Sequence, residues 1–162
     1  MELELPSHVV TLEPRRSPPL EDVPGAIAQA LCRPIGTVSL EEMLRARRRV
    51  RPQASAVVVV SDSTRPVPYT GSSGIVLPVV THLTEAGFRP SDITILVATG
   101  THRPLREEEI GTLFDRRVLE AGIEIRCHDA FDRQSLTAVG RTAAGVEVLM
   151  DRKYVEADVR IL

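Results

Sequence analysis

Apolar positions along the chain switch repeatedly between helical and strand-like spacing. Between positions 20 and 49 they recur at helical spacing: Val23, Ile27, Ala30 and Leu31 share one face of a segment from Leu20 to Leu31, which Pro34 ends. A second helix is predicted from Ser39 to Arg49. Ser39 is its N-cap, and Glu41 and Glu42 fall in the first turn, where negative charge suits the helix dipole. From Ala56 to Val60 the pattern becomes a short, continuous β-branched run, the mark of a strand buried on both faces. Ser72 to Ala86 returns to helical spacing and Gly87 closes it. Ile93 to Ala98 reads as a second buried strand. Arg106 to Ala121 reads as a helix with Ile110, Leu113, Phe114 and Val118 inward, and Ile123 to Cys127 as a third strand. The last stretch, Leu136 to Leu162, holds short alternating segments around Gly140 and Gly145 and ends in an apolar strand from Ala157 to Leu162. Strand, helix, strand, helix, strand at this spacing implies right-handed crossovers. The predicted fold is therefore α/β: an open, mainly parallel, Rossmann-like sheet flanked by helices, with a less regular, strand-rich C-terminal stretch.

Five of the twelve prolines lie in residues 1–24, which predicts an extended, irregular arm, with a short strand over Glu2 to Leu5 compatible with the alternation there. Residues 25–162 then form a single α/β domain, an ordinary size for 162 residues at 43% hydrophobic and 26% charged. A formal net charge of -2 gives no electrostatic case for nucleic acid or an anionic membrane. The longest apolar run, Ala56 to Val60, is far short of the roughly 20 residues that cross a bilayer. The opening MELELPSHVV shows no basic-then-apolar secretory pattern, so a cytoplasmic protein is expected. Five aromatic residues are too few for base-stacking surfaces. Cys32 and Cys127 are expected as buried free thiols. Basic residues are lopsided, nineteen Arg against the single Lys153, and the run Arg45, Arg47, Arg48, Arg49, Arg51 reads as a solvated helix C-terminus.

In an open parallel sheet, ligands bind outside the carboxyl ends of the strands. The three segments that follow the predicted strands are Ser61-Asp-Ser-Thr-Arg-Pro66, Thr99-Gly-Thr-His-Arg-Pro104 and His128-Asp-Ala130. All are polar, and two end in Arg-Pro. The first offers the carboxylate of Asp62, hydroxyls including Thr64, and the guanidinium of Arg65, whose fork matches carboxylate or phosphate. Gly71-Ser-Ser-Gly74 adds pliable backbone nearby. A local turn in which Asp62 caps amides and pairs with Arg65 would also account for these residues. In the second segment Gly100 permits a positive φ, and His102 stands between Thr101 and Arg103. Imidazole can take and return a proton near neutral pH, so His102 reads as a base beside an anion-binding site. His128 with Asp129 and Asp132 reads as a capped turn, because the spacing fits no strong metal-ligand motif.

Asp62-Ser-Thr-Arg-Pro66 followed by Ala98-Thr-Gly-Thr-His-Arg-Pro104 resembles the N-terminal part of the nickel-pincer lactate racemase family. Leu31-Cys-Arg-Pro-Ile-Gly36, Cys127-His-Asp-Ala130, Val139-Gly-Arg-Thr142 and Glu156-Ala-Asp158 extend the likeness across nearly the whole chain. The resemblance implies an isomerase that racemises 2-hydroxy acids such as lactate through a nickel-pincer pyridinium mononucleotide. A base takes the hydroxyl proton while hydride leaves the substrate Cα for the cofactor, then returns to the other face. It implies His102 as one of two catalytic histidines. It also implies Asp62, Thr64, Arg65, Gly100, Thr101 and Arg103 as substrate- or cofactor-binding residues. The family's second catalytic histidine, tethering lysine and nickel-ligand histidine belong to a glycine-rich segment expected just after Leu162. No metal ligand is therefore expected in this chain, and Lys153 is not assigned as the tether. On this reading the isolated chain is incomplete for catalysis and is completed by a missing C-terminal portion or another polypeptide. A stand-alone α/β domain that binds a small phosphorylated or carboxylated ligand without catalysis is the alternative.

Overall fold

The structure, a computed structural model, describes residues 8–10, 14, 17–65 and 67–162. The strand considered for Glu2 to Leu5 lies outside them. Two helices come first, α1 (Val23–Cys32) and α2 (Leu40–Val50). α1 begins at Asp22, whose side chain accepts the Gly25 amide. Pro24 thus sits in the first helical turn rather than in the extended arm, where its missing N–H costs nothing. α2 starts in a reciprocal cap: Ser39 Oγ accepts the Glu42 amide and the Glu42 carboxylate accepts the Ser39 amide.

Four strands form one wholly parallel sheet: β1 (Ala56–Ser61), β2 (Ile93–Ala98), β3 (Glu124–Cys127) and β6 (Val159–Ile161), in the order β3-β2-β1-β6. Between β1 and β2 run a 3-10 turn (Gly71–Ser73) and α3 (Val76–Glu85). The sequence pattern suggests one helix there. Gly74 interrupts it with an extended backbone, φ −67° and ψ 121°, and packs so close to the Tyr69 carbonyl that a Cβ would come to 3.0 Å from its oxygen. Between β2 and β3 the predicted single helix is two, α4 (Glu107–Leu113) and α5 (Arg116–Leu119). Buried Phe114 turns inward to stack on Tyr69, and Asp115 re-caps the chain by accepting the Arg117 amide. The strand-rich stretch is an antiparallel hairpin, β4 (Leu136–Arg141) with β5 (Glu147–Asp151), followed by a short helix α6 (Arg152–Glu156) that the alternation did not predict.

The two faces of the sheet are covered differently. Val58, Val60, Ile95 and Val97 pack with Leu44 of α2, Val76, Val80 and Leu83 of α3, and Val118 of α5. On the other face Val57 and Leu96 form a small cluster with Ala157, flanked by Val59 and Tyr154. The entry to β6 is stapled to that of β1. Asp158 accepts the Ser55 amide at 2.9 Å and an Arg51 N–H at 2.8 Å, so its carboxyl is held below its ordinary value, the Ser55 backbone bond first among the causes. The arginine run on α2 behaves as a helix C-terminus: Arg48 lies over the Phe88 ring and bonds the Gly87 carbonyl, and Arg45 pairs with Glu41. Cys127 is half-buried. Cys32, expected inside, is exposed, because α1 has no buried residue and its end lies at the surface. Among the described residues no helix is long and apolar enough to cross a membrane.

Candidate active site

The register of β1 on β2 places Ser61 beside Ala98, so the turns that follow the two strands stand next to each other. Together they line a cleft of about 460 Å³ formed by Ser61, Asp62, Thr64, Arg65, Ala98, Thr99, Gly100, Thr101 and His102. The end of β1 is fixed from below, where the Ser61 amide donates to the hydroxyl of buried Tyr69 at 2.7 Å. Asp62, the first residue past β1, is buried. One carboxylate oxygen accepts the Thr64 hydroxyl and, at 3.1 Å, the Thr64 amide; the other lies 2.6 Å from His102 Nδ1.

The hydrogen bond from His102, followed by that of Thr64, holds the Asp62 carboxyl below its ordinary range. Asp62 is therefore an anion at neutral pH and can only accept, which requires the proton of a neutral His102 to sit on Nδ1. Nε2 then carries a lone pair and has no partner among the described residues. The imidazole is 58% exposed while its carboxylate partner is 7% exposed, so the buried half of the pair anchors the accessible half. Gly100 takes a φ of 60° in this turn, and the His102 amide donates to the Thr99 carbonyl at 3.0 Å. Arg65 is exposed, and among the described residues its guanidinium has neither a hydrogen-bond acceptor nor an ion-pair partner. Asp62 faces His102 rather than Arg65, so the local-turn account of this segment holds for the Thr64 caps and not for the arginine.

A family model described as the lactate racemase N-terminal domain matches residues 1–162. The chain belongs to that family. The lactate racemase of Lactiplantibacillus plantarum is 31% identical over 135 residues, taking in 83% of this chain and 29% of the relative. That of Thermoanaerobacterium thermosaccharolyticum is 27% identical with the same coverage. The lactate racemase apoprotein of the latter organism superimposes with a TM-score of 0.70 at 26% identity, over 86% of this chain and 31% of that one. A Thermotoga maritima protein shares the fold alone, with a TM-score of 0.51 at 23% identity over 74% of this chain and 32% of that one. The chain thus spans under a third of the length of the curated lactate racemases it matches.

Two residues tied to the lactate racemase resemblance lie apart from the cleft. Arg103 grips Glu109 with two N–H donors, at 2.7 and 2.6 Å, and also bonds the Pro104 carbonyl. Its guanidinium is occupied in fastening the turn to α4. His128 points to the hairpin side, its Nδ1 3.4 Å from Asp151, while Asp129 caps the Phe131 amide at 2.8 Å. Residues 71–74 do not line the cleft either. Ser61 and Thr99, the first residues of the two polar strand-end segments, line it as well, as does Ala98 at the end of β2, although none of the three stands among the expected binding or catalytic residues.

The donor set of the cleft, one guanidinium with hydroxyls and a turn amide, suits the anionic end of a ligand. It does not suit a resident nickel ion: among the described residues no three His, Cys, Asp or Glu side chains are grouped to hold a metal. Lys153 lies on α6 with its ammonium 3.1 Å from Glu124, outside the cleft.

Acid should loosen this arrangement. Glu109 is drawn down to about 2, by the Arg103 fork first and the Arg106 amide next, and Asp92 to about 2 by Arg89. Asp62 is lowered as well. Carboxyls depressed in the folded state stabilise it fully above their ordinary values and lose that contribution as pH falls through the depressed ones. The urea midpoint is expected to stay level down to about pH 4.5 and to drop between there and about 2. Asp92→Asn should flatten part of that drop. A midpoint that rises on acidification would contradict the pairing described.

Proposed function

We propose that this chain supplies one half of the active site of a 2-hydroxy-acid racemase, with lactate as the type substrate. The observation that carries the reading is the Asp62–His102 contact beside the guanidinium of Arg65, which has no partner among the described residues. The carboxylate of a 2-hydroxy acid fits the fork of Arg65, and the hydroxyls of Thr64 and Thr101 line the same cleft. A 2-hydroxyl group lies one carbon away from that carboxylate, within the span of a cleft that His102 also lines. His102 Nε2 takes the hydroxyl proton of one enantiomer, and returns it when that enantiomer re-forms, while the hydride that leaves Cα goes to an acceptor that the described residues do not themselves supply. Asp62 stabilises the imidazolium formed in between.

The family's nickel-pincer pyridinium mononucleotide would supply that hydride acceptor when bound. The described residues contain neither a fitting metal group nor a lysine in the cleft, so its metal ligands and its tether would come from other residues. The second proton-handling group we assign to a further portion of polypeptide, in keeping with relatives of which this chain covers 29%.

Amide chemical shifts measured during lactate titration test the reading. Both enantiomers are expected to move the signals of Thr64, Arg65 and residues 100–102, because a racemase must hold both. Propionate, which lacks the hydroxyl, should bind more weakly, and lactamide, which lacks the charge, more weakly still. Arg65→Gln should weaken lactate binding by about 10–100-fold, the worth of a charge-assisted hydrogen bond. Equal binding of propionate and lactate, or an unaffected Arg65→Gln, would remove the basis for a 2-hydroxy-acid site.

A further inference from the structure

We infer that Thr99, a residue with no role so far, is a positioning residue for His102: its hydroxyl pins the strand-end turn so that His102 Nδ1 meets Asp62. The inference rests on His102 being the proton-handling group proposed above, although its test does not need racemisation.

The Asp62–His102 contact joins two turns on neighbouring strands, 40 residues apart in sequence. A single imidazole–carboxylate hydrogen bond on a 58% exposed histidine cannot hold both turns in place, so each needs its own fastening. Asp62 has one in Thr64, through hydroxyl and amide. The turn that carries His102 begins at Thr99, which is 2% exposed and stands at the end of the central strand β2. The Thr99 hydroxyl donates to the backbone carbonyl of His128, on the next strand's outgoing end. The Thr99 amide bonds the Val97 carbonyl, the His128 amide bonds that same carbonyl at 2.9 Å, and the His102 amide closes the turn on the Thr99 carbonyl at 3.0 Å.

From Thr99 to His102 the chain is therefore a short bracket that, among the described residues and apart from the Asp62 contact itself, has one side-chain rivet, onto the residue that follows β3. Gly100 inside the bracket, at φ 60°, supplies no side-chain contact that could replace it. The far end of the loop is caught separately, where the Leu105 amide meets Cys127 Sγ at 3.3 Å. That second catch lies beyond Pro104 and does not restrain the 99–102 turn itself.

A buried threonine can also be simply structural, so the experiment reads the imidazole rather than stability alone. Nitrogen-15 shifts of the histidine ring report which nitrogen carries the proton. At about pH 8.5, where an ordinary imidazole is neutral, wild-type His102 is expected in the Nδ1–H form that Asp62 demands. A free imidazole favours Nε2–H. Asp62→Ala fixes the signal of a released ring.

Thr99→Val keeps shape and β-branching while deleting the hydroxyl, and is expected to shift His102 most of the way to the Asp62→Ala signal. Thr99→Ser restores the donor and should return it to the wild-type position. The amide spectrum verifies that each variant is folded; should valine not fold, Thr99→Ala takes its place under the same criterion. A folded Thr99→Val or Thr99→Ala that retains the Nδ1–H form overturns the inference, as does a Thr99→Ser that loses it equally. A failure of lactate to bind would count against the proposed substrate but leave this tautomer result standing, so the two are separable.

Discussion

Ile95→Ala is expected to cost about 2–5 kcal/mol of folding stability, the largest loss from any single truncation in the sheet. Ile95 is fully buried at the middle of the central strand, with Val58 as its register partner on β1 and Ile125 on β3. Its side chain faces the helix-covered side, where Val58, Val97, Leu83 and Val118 are all in the same core cluster. Truncation removes transfer free energy and leaves a cavity that parallel strands held on both sides cannot close. Against a total of about 5–15 kcal/mol for a domain, that is a large fraction. The urea midpoint should fall with the slope unchanged. Val148→Ala on the partly exposed hairpin strand β5 should stay within about 0.5 kcal/mol. A loss below about 1 kcal/mol at Ile95 would mean that this face is not the main core.

The largest effect on activity belongs to His102. On the proposed reading, in a full-length, cofactor-loaded racemase that contains this chain, His102→Ala is expected to slow interconversion of D- and L-lactate by about 10²–10⁴-fold, the usual worth of a positioned acid–base group. KM for lactate should change little, because the proposal gives the carboxylate to Arg65 and not to the imidazole. Arg65→Gln should show the reverse emphasis, with KM raised more than kcat is lowered. Asp62→Ala should follow His102→Ala in kcat, since an imidazole without its carboxylate loses both its preferred tautomer and the anion that stabilises its charged form. Chiral chromatography of timed samples gives both constants. A His102→Ala protein that racemises at the wild-type rate would end the assignment, whatever becomes of lactate binding.

The parts of this fold that could be read from the sequence are those where one physical requirement dominates. β1 and β2 are β-branched runs because parallel strands are covered on both faces, and their limits match to within a residue. The start of α2 was legible because capping chemistry is local, and Ser39 and Glu42 carry all of it. What escaped depends on tertiary partners. Phe114 sits at helical spacing with its neighbours and so hides the break before α5; only its stacking on Tyr69 explains why the chain turns there. α6 follows an alternating strand without a change of pattern, and its sole marker is Asp151 as N-cap.

The strand-end rule brought Asp62 and His102 to one end of the sheet, but not to each other. Their 2.6 Å contact follows from the Ser61–Ala98 register, which no spacing in the chain encodes. Arg103 looks available in sequence because its partner, Glu109, lies six residues on and across Pro104, a separation with no helical meaning.

The order of strands in the sheet differs from their order in the chain, and that has a consequence for how the molecule assembles. β1, β2 and β3 are consecutive and adjacent, so each can pair with its predecessor as soon as the intervening helix has formed. β6 must close a loop of about a hundred residues to reach the other edge of β1, the slow kind of contact. The Asp62–His102 cleft needs β1, β2 and, through the Thr99–His128 bond, the end of β3, but not β6. It can therefore form early, while one flank of β1 still stands unpaired and open to the wrong strand until Asp158 closes on Ser55.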